Sequence, residues 1–359
     1  MLYGRGVTDD KGPALACLYA MDACRAVLGQ PKTGVRLVLG SGEETGSEDM
    51  EHYFSKRPTL PYTLSPDADY PLINLEKGRF APFFEREAEN AGHAKVLFIK
   101  GGGTQNIVPA KARAAVRGVE FAALQAAALR TQAQTGVRFT LTREPDGSFD
   151  IAAAGESAHT AQPEKGNNAQ TALLSLLCAL PLTENEAVSG LRALAALFPH
   201  GETDGAAAGV KQADELSGAL TLNFGVLEFT DGRFACGVDI RSPISATEET
   251  VKAALGKKLA AAGFRYTGDP ELRPAHYVPE DAPLIRTLLD VYEEHTGEKG
   301  KCLAIGGGTY VHDIEGGVAF GVEFPGRDYR IHGADEYAPG EELLATAKMY
   351  ADVIARLCY

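Results

Sequence analysis

Glu43 and Glu44 stand side by side after an apolar run at 34–39 (GVRLVL) and the turn Gly40-Ser41-Gly42. Carboxylates at the carboxyl end of a strand lie where open α/β sheets place their sites. On an extended segment the two side chains point apart, so one can ligate a metal while the other moves a proton. Asp9-Asp10 opens a helical stretch, and Asp67 follows Pro66 at the end of another short run. Taken singly, the aspartate pair reads as a helix cap and Asp67 as a turn residue. Taken together, three acidic positions arrive at one sheet edge after successive elements. Carboxylates gathered in this way repel one another, and one or two divalent cations are the simplest compensation. His159, in GESAHTAQPEKGNNA, and His332, in YRIHGADEY, have small or polar neighbours that leave room to face a cleft. Imidazole in such a donor set selects zinc, manganese or cobalt over magnesium.

These residues need elements to hold them. Helical spacing over 10–28 aligns Ala14, Leu15, Leu18, Met21 and Val27, with Gly29 as the cap. The run at 34–39 reads as a strand, 47–54 as a helix, and 62–65 as a strand leading to Asp67. Strands alternating with helices predict an α/β layer with a largely parallel sheet. The middle of the chain differs, with strand-like runs at 81–85, 94–99, 137–143, 149–154 and 220–228. Ala- and Leu-rich helices at 110–131 and 169–180 separate them, which predicts an α+β domain with antiparallel sheets. The tail returns to the first pattern, with helices at 283–296 and 340–357, a strand at 318–320 and the turn Gly306-Gly307-Gly308. One α/β domain, 1–76 and 270–359, is therefore expected to be interrupted by an inserted domain at 77–269.

Composition excludes several classes. A formal net charge of −13 argues against nucleic acid or an anionic membrane as partner, since both need clustered Lys and Arg. No apolar run approaches the ~18 residues of a membrane span. The start, MLYGRGVTDDKG, lacks the basic and apolar regions of a signal peptide. The six cysteines show no CxxC spacing and read as free thiols, so the expected setting is the reducing cytoplasm.

The segments YGRGVTDDKGP, SGEETGS, SPDADYPLINLEKG, GESAHTAQPEKGNNA, DIRSP, GGGTY and FPGRDYRIHGADEY, in this order, resemble the co-catalytic metallopeptidase family. That family includes aminoacylase, carboxypeptidase G and succinyl-diaminopimelate desuccinylase, and the likeness is greatest to its dipeptidase V branch. The resemblance implies a phosphorylase/hydrolase-like catalytic domain and a lid built of two ferredoxin-like halves. It implies two divalent ions, zinc or alternatively manganese or cobalt. Asp9 then bridges the metals, Glu44 and His332 complete one site, and Asp67 belongs to the other. Glu43 is the general base for the water between the metals, and His159 a lid residue that stabilises the tetrahedral oxyanion. Asn106 and Arg241 position substrate, and the backbone at Gly307 and Gly308 contacts its carboxylate.

The implied activity is hydrolysis of small dipeptides with a free carboxylate end. The alternatives are an N-acyl-amino-acid amidohydrolase of the same family, or a non-catalytic metal- or ligand-binding remnant. A two-module lid takes the place of a partner subunit, so a monomer is expected. The family's H-x-D motif, which lies upstream of YGRG, has no counterpart here. The chain is therefore expected to lack the amino-terminal part of the sheet, to bind its second metal weakly and to turn over poorly.

Overall fold

The computed structural model describes residues 1–359. The chain divides into two compact units, Met1–Glu76 with His276–Tyr359, and Lys77–Ala275. The second unit runs past 269, because the backbone of Arg273 pairs with that of Arg79 at 2.9 Å in both directions.

In the first unit, Leu72–Glu76 is the central strand and is buried along its whole length. Apolar burial on both faces suits a strand covered on both sides. It pairs in parallel with Cys302–Ile305 and antiparallel with His276–Tyr277 and Val318–Ala319. Val318–Ala319 then pairs in parallel with Leu64–Ser65. The sheet is thus mixed rather than largely parallel, because three of its five strands run opposite to Leu72–Glu76 and Cys302–Ile305.

The run 34–39 forms no strand. It finds no partner for its backbone groups, and Leu39 is 70% exposed. Helix Lys11–Leu28 also buries a different stripe from the expected one: Pro13, Ala16, Cys17, Ala20 and Cys24. Small residues let it approach helix Gly340–Cys358 closely, where the Cys24 thiol donates to the Ala351 carbonyl at 3.2 Å. Leu15, Leu18 and Val27 are left outside. Helix Pro283–Thr296 completes the core with Leu284, Ile285, Leu288 and Val291.

The second unit is built on a nine-stranded antiparallel sheet. Helices Phe121–Thr135, Ala169–Cys178, Glu186–Leu197 and Ala254–Ala261 supply its other elements. Its core joins Phe84, Phe198, Phe224 and Phe234 to the leucines of these helices. The alanine-rich start of 110–131 is not helical. Lys111–Arg117 is a strand between Lys95–Gly101 and Phe149–Ala154. Its alternation, with Lys111 and Arg113 outward and Ala112 and Ala114 inward, overrides the helix preference of alanine. No helix of either unit is long and apolar enough to cross a membrane. All six cysteines are free.

Candidate active site

Asp9 closes the loop that leads into helix Lys11–Leu28. Asp10 occupies the N-cap position, yet its side chain makes no cap hydrogen bond. Glu43 and Glu44 begin a one-turn 3₁₀ helix, Glu43–Thr45, instead of lying on an extended segment. They still diverge, because a 3₁₀ turn rotates successive residues by about 120°. His332 sits in the loop before Tyr337–Ala338, held in the left-handed region at φ 58°.

These three segments bring one imidazole nitrogen against two carboxylates. His332 Nε2 lies 2.8 Å from Asp9 Oδ2 and 2.7 Å from Glu44 Oε1. The three ligand atoms all fall within 4.8 Å of one another. Two carboxylates and an imidazole are a sound donor set for zinc or a similar ion, with coordination positions left for water and substrate. The residues present therefore fit a divalent metal.

Glu43 and Asp67 lie outside this trio but within its field. Burial, then the charges of Glu44, Asp9, Asp10 and Glu76, push the Glu43 carboxyl up to about 7. Burial, then Asp9, Asp10, Glu43 and Glu44, push Asp67 up to about 9. Asp10 is also raised, by burial and by Asp9. The acidic positions thus do converge, and the strain of convergence is electrostatic.

Residues without any catalytic signature in the sequence hold this arrangement. Glu336, 2% exposed, turns Oε1 to the backbone N–H groups of Gly6, Thr8 and Asp9 at 3.0, 3.0 and 3.1 Å. Burial alone pushes its carboxyl up. The N–H groups of Thr8, Gly6 and Asp9, with Arg5, outweigh that and hold it below the usual range. One side chain four residues beyond His332 therefore shapes the loop that carries Asp9. Glu336→Gln puts an NH₂ group among those donors and is expected to weaken metal binding about 10–100-fold. Zinc titration against a competing chelator measures it, and an unchanged affinity would show that the Asp9 loop holds its shape without this carboxylate.

A second clasp holds the glutamate turn. The Tyr310 hydroxyl donates to Asp49 Oδ2 at 2.9 Å and accepts the Gly42 N–H at 3.0 Å. Asp49 Oδ2 also takes the Ser41 N–H at 2.6 Å. A Cβ on Gly40 would collide with the Tyr310 hydroxyl, which is why glycine stands there. Tyr310 is placed in turn by Glu76, 1% exposed, which accepts from the Thr309 N–H, the Thr309 hydroxyl and His312 Nδ1. The Thr309 N–H is thereby engaged. At Gly307 a Cβ would meet only the Ile305 side chain, at 4.0 Å.

His159, Asn106 and Arg241 belong to the second unit and are brought together there. The Thr160 N–H donates to the Asn106 carbonyl at 3.0 Å, and Ile107 bridges to His159. Thr221 lies opposite Arg241, and its hydroxyl donates to the Thr160 carbonyl at 2.9 Å. His159 Nδ1 accepts the Ala161 N–H at 3.2 Å, so the neutral ring carries its proton on Nε2. Arg241 Nε donates to the buried Asp239 at 2.6 Å. Asp239 opens the DIRSP segment, two residues before Arg241, and its type alone does not reveal this bracing role.

A carboxylate–imidazole metal set on an α/β unit that bears a large antiparallel insert defines a metallopeptidase, a hydrolase of peptide bonds. The chain belongs to peptidase family M20/M25/M40, whose model matches residues 1–356. A putative dipeptidase of Bacillus subtilis is 32% identical over 99% of this chain and 76% of its own length. The Beta-Ala-Xaa dipeptidase of Lactobacillus delbrueckii subsp. lactis is 32% identical over 99% of this chain and 75% of its length. Among solved structures, a tripeptidase from Staphylococcus aureus superposes with a TM-score of 0.54 at 13% identity, covering 98% of this chain and 72% of that one. The aminoacylhistidine dipeptidase of Vibrio alginolyticus gives 0.51 at 15% identity, covering 94% and 74%. These likenesses carry the fold.

Proposed function

We propose that the protein is a metal-dependent dipeptidase in which the first unit performs the chemistry and Lys77–Ala275 is a lid domain. The observation that carries this reading is the approach of His332 Nε2 to both Asp9 and Glu44, with the Glu43 carboxyl beside them. The dipeptidase relatives support the choice of substrate. Asp9, Glu44 and His332 would hold one divalent ion, zinc, manganese or cobalt, and Asp67 would serve a second. A bound ion supplies Lewis acidity toward water and the scissile carbonyl. Glu43 accepts the proton of the attacking water and returns it to the departing amine. His159 offers its Nε2 proton where negative charge develops on the carbonyl oxygen. Arg241, whose guanidinium Asp239 orients, takes the free carboxylate of the peptide, and Asn106 positions it.

A substrate panel tests the reading. The metal-loaded protein is expected to hydrolyse unblocked dipeptides at least about tenfold faster, in kcat/KM, than N-acetyl or N-succinyl amino acids. The reverse order would make it an amidohydrolase instead.

A further inference from the structure

Arg241 is not alone on its sheet face. Strand Gly78–Phe80 runs antiparallel to Arg233–Ser242 with Arg79 opposite Arg241. Residues opposed across an antiparallel pair share a face, and so do residues two apart on one strand. Asp239 therefore joins the two arginines, and it is fully buried. Its Oδ1 accepts Arg241 Nε at 2.6 Å; its Oδ2 accepts Arg79 Nε at 3.0 Å and Arg241 Nη2 at 3.3 Å. Two guanidiniums thus face one carboxylate. This local positive excess stands out in a chain of net charge −13.

The two arginines are used differently. The Arg241 side chain is 9% exposed and turns two nitrogens to Asp239. Arg79 is 45% exposed and gives Asp239 only its Nε. Arg79 thus makes one charge-assisted bond to Asp239 where Arg241 makes two. Arg79 is pinned at Nε, and its Nη groups make no hydrogen bond in the protein. Fixing the planar fork in advance lowers the ordering cost of binding a second anion.

We propose that Arg79 is a specificity residue that receives a side-chain carboxylate of the substrate, so that the protein prefers dipeptides with aspartate or glutamate at the carboxyl end. The inference rests on the reading of Arg241 as the group that holds the terminal carboxylate. Two guanidiniums braced on one aspartate then match the two carboxylates of one acidic residue. A single terminal carboxylate is satisfied by one fork and gives Arg79 nothing to do.

The test compares Ala-Glu with its uncharged isostere Ala-Gln on the full-length, metal-loaded protein, as wild type, Arg79→Ala and Arg79→Lys. Wild type is expected to favour Ala-Glu by about tenfold or more in kcat/KM, with the advantage in KM. Arg79→Ala should collapse that ratio to near one, and Arg79→Lys should restore part of it. A melting curve and a metal titration on each variant show that the fold and site persist. Equal rates on the two peptides in wild type, or an Arg79→Ala effect of the same size on both, would overturn the assignment. A variant that loses its melting transition would mark Arg79 as structural and overturn it too. Hydrolysis of no dipeptide at all would refute the dipeptidase reading, and this inference with it.

Discussion

Glu43→Gln is expected to lower kcat by about 10²–10⁴-fold, the range a positioned general base contributes, while metal is still bound. Glu43 is not one of the three groups that meet at His332 Nε2, so its amide should leave that set whole. The substitution keeps size but replaces the carboxylate that accepts a proton from water with an amide too weakly basic to do so. The turn should survive, since its shape comes from Tyr310 and Asp49 gripping the backbone of Ser41 and Gly42 and not from the Glu43 carboxyl. The measurement is steady-state kinetics beside a metal titration of the same preparation. A kcat within tenfold of wild type at full metal occupancy would remove Glu43 from the mechanism. Loss of metal together with activity would make it a ligand instead.

Stripping the metal should destabilise the protein in a pH-dependent way. Without a cation, burial and neighbouring carboxylates raise Asp67 to about 9 and Glu43 to about 7, well above the ordinary range near 4. A carboxyl whose pKa is raised in the folded state holds its proton there after the unfolded chain has lost it. Its contribution to stability is therefore fully present below about pH 4. It is lost progressively as pH rises toward 7 for Glu43 and 9 for Asp67. The metal-free protein should accordingly melt at least about 5 °C lower at pH 8 than at pH 5. A bound cation replaces the missing positive charge, so the metal-loaded protein should lose much less over the same range. The gap between loaded and stripped protein therefore widens with pH. Calorimetry of both forms at the two pH values measures it. A metal-free protein as stable at pH 8 as at pH 5 would mean that the carboxylates do not crowd one another as the structure shows.

The residues that meet at the site were legible in the sequence because their surroundings are unusual there. Acidic pairs among glycines after apolar runs, and a histidine in a loop of small and polar residues, have few ordinary explanations when they occur together. The elements that hold them were legible where one periodicity prevailed, as in helices Pro283–Thr296 and Gly340–Cys358 and strand Phe149–Ala154. Two readings failed where local preference and context disagreed. Lys111–Arg117 is alanine-rich, yet it became a strand because strands wait on both sides with a matching inward face. The run at 34–39 alternates like a strand, yet it has no partner, and a strand is not a property of one segment.

The groups that brace the site were beyond sequence reading for a related reason. Glu336, Tyr310 and Asp239 lie within segments that carry the family resemblance and Asp49 just beyond another, but their types and neighbours do not reveal their roles, which depend on atoms brought close by the fold. Glu336 acts on Gly6, Thr8 and Asp9, and Tyr310 on Gly42. Which residues are candidates for chemistry is a matter of type and neighbourhood, and the sequence by itself offered that much: the acidic pairs, the two histidines and the inserted α+β segment. Which of them meet was decided by the tertiary structure. So was the number of guanidiniums that surround Asp239, because hydrogen bonds and charges act over a few ångströms of space and not along the chain.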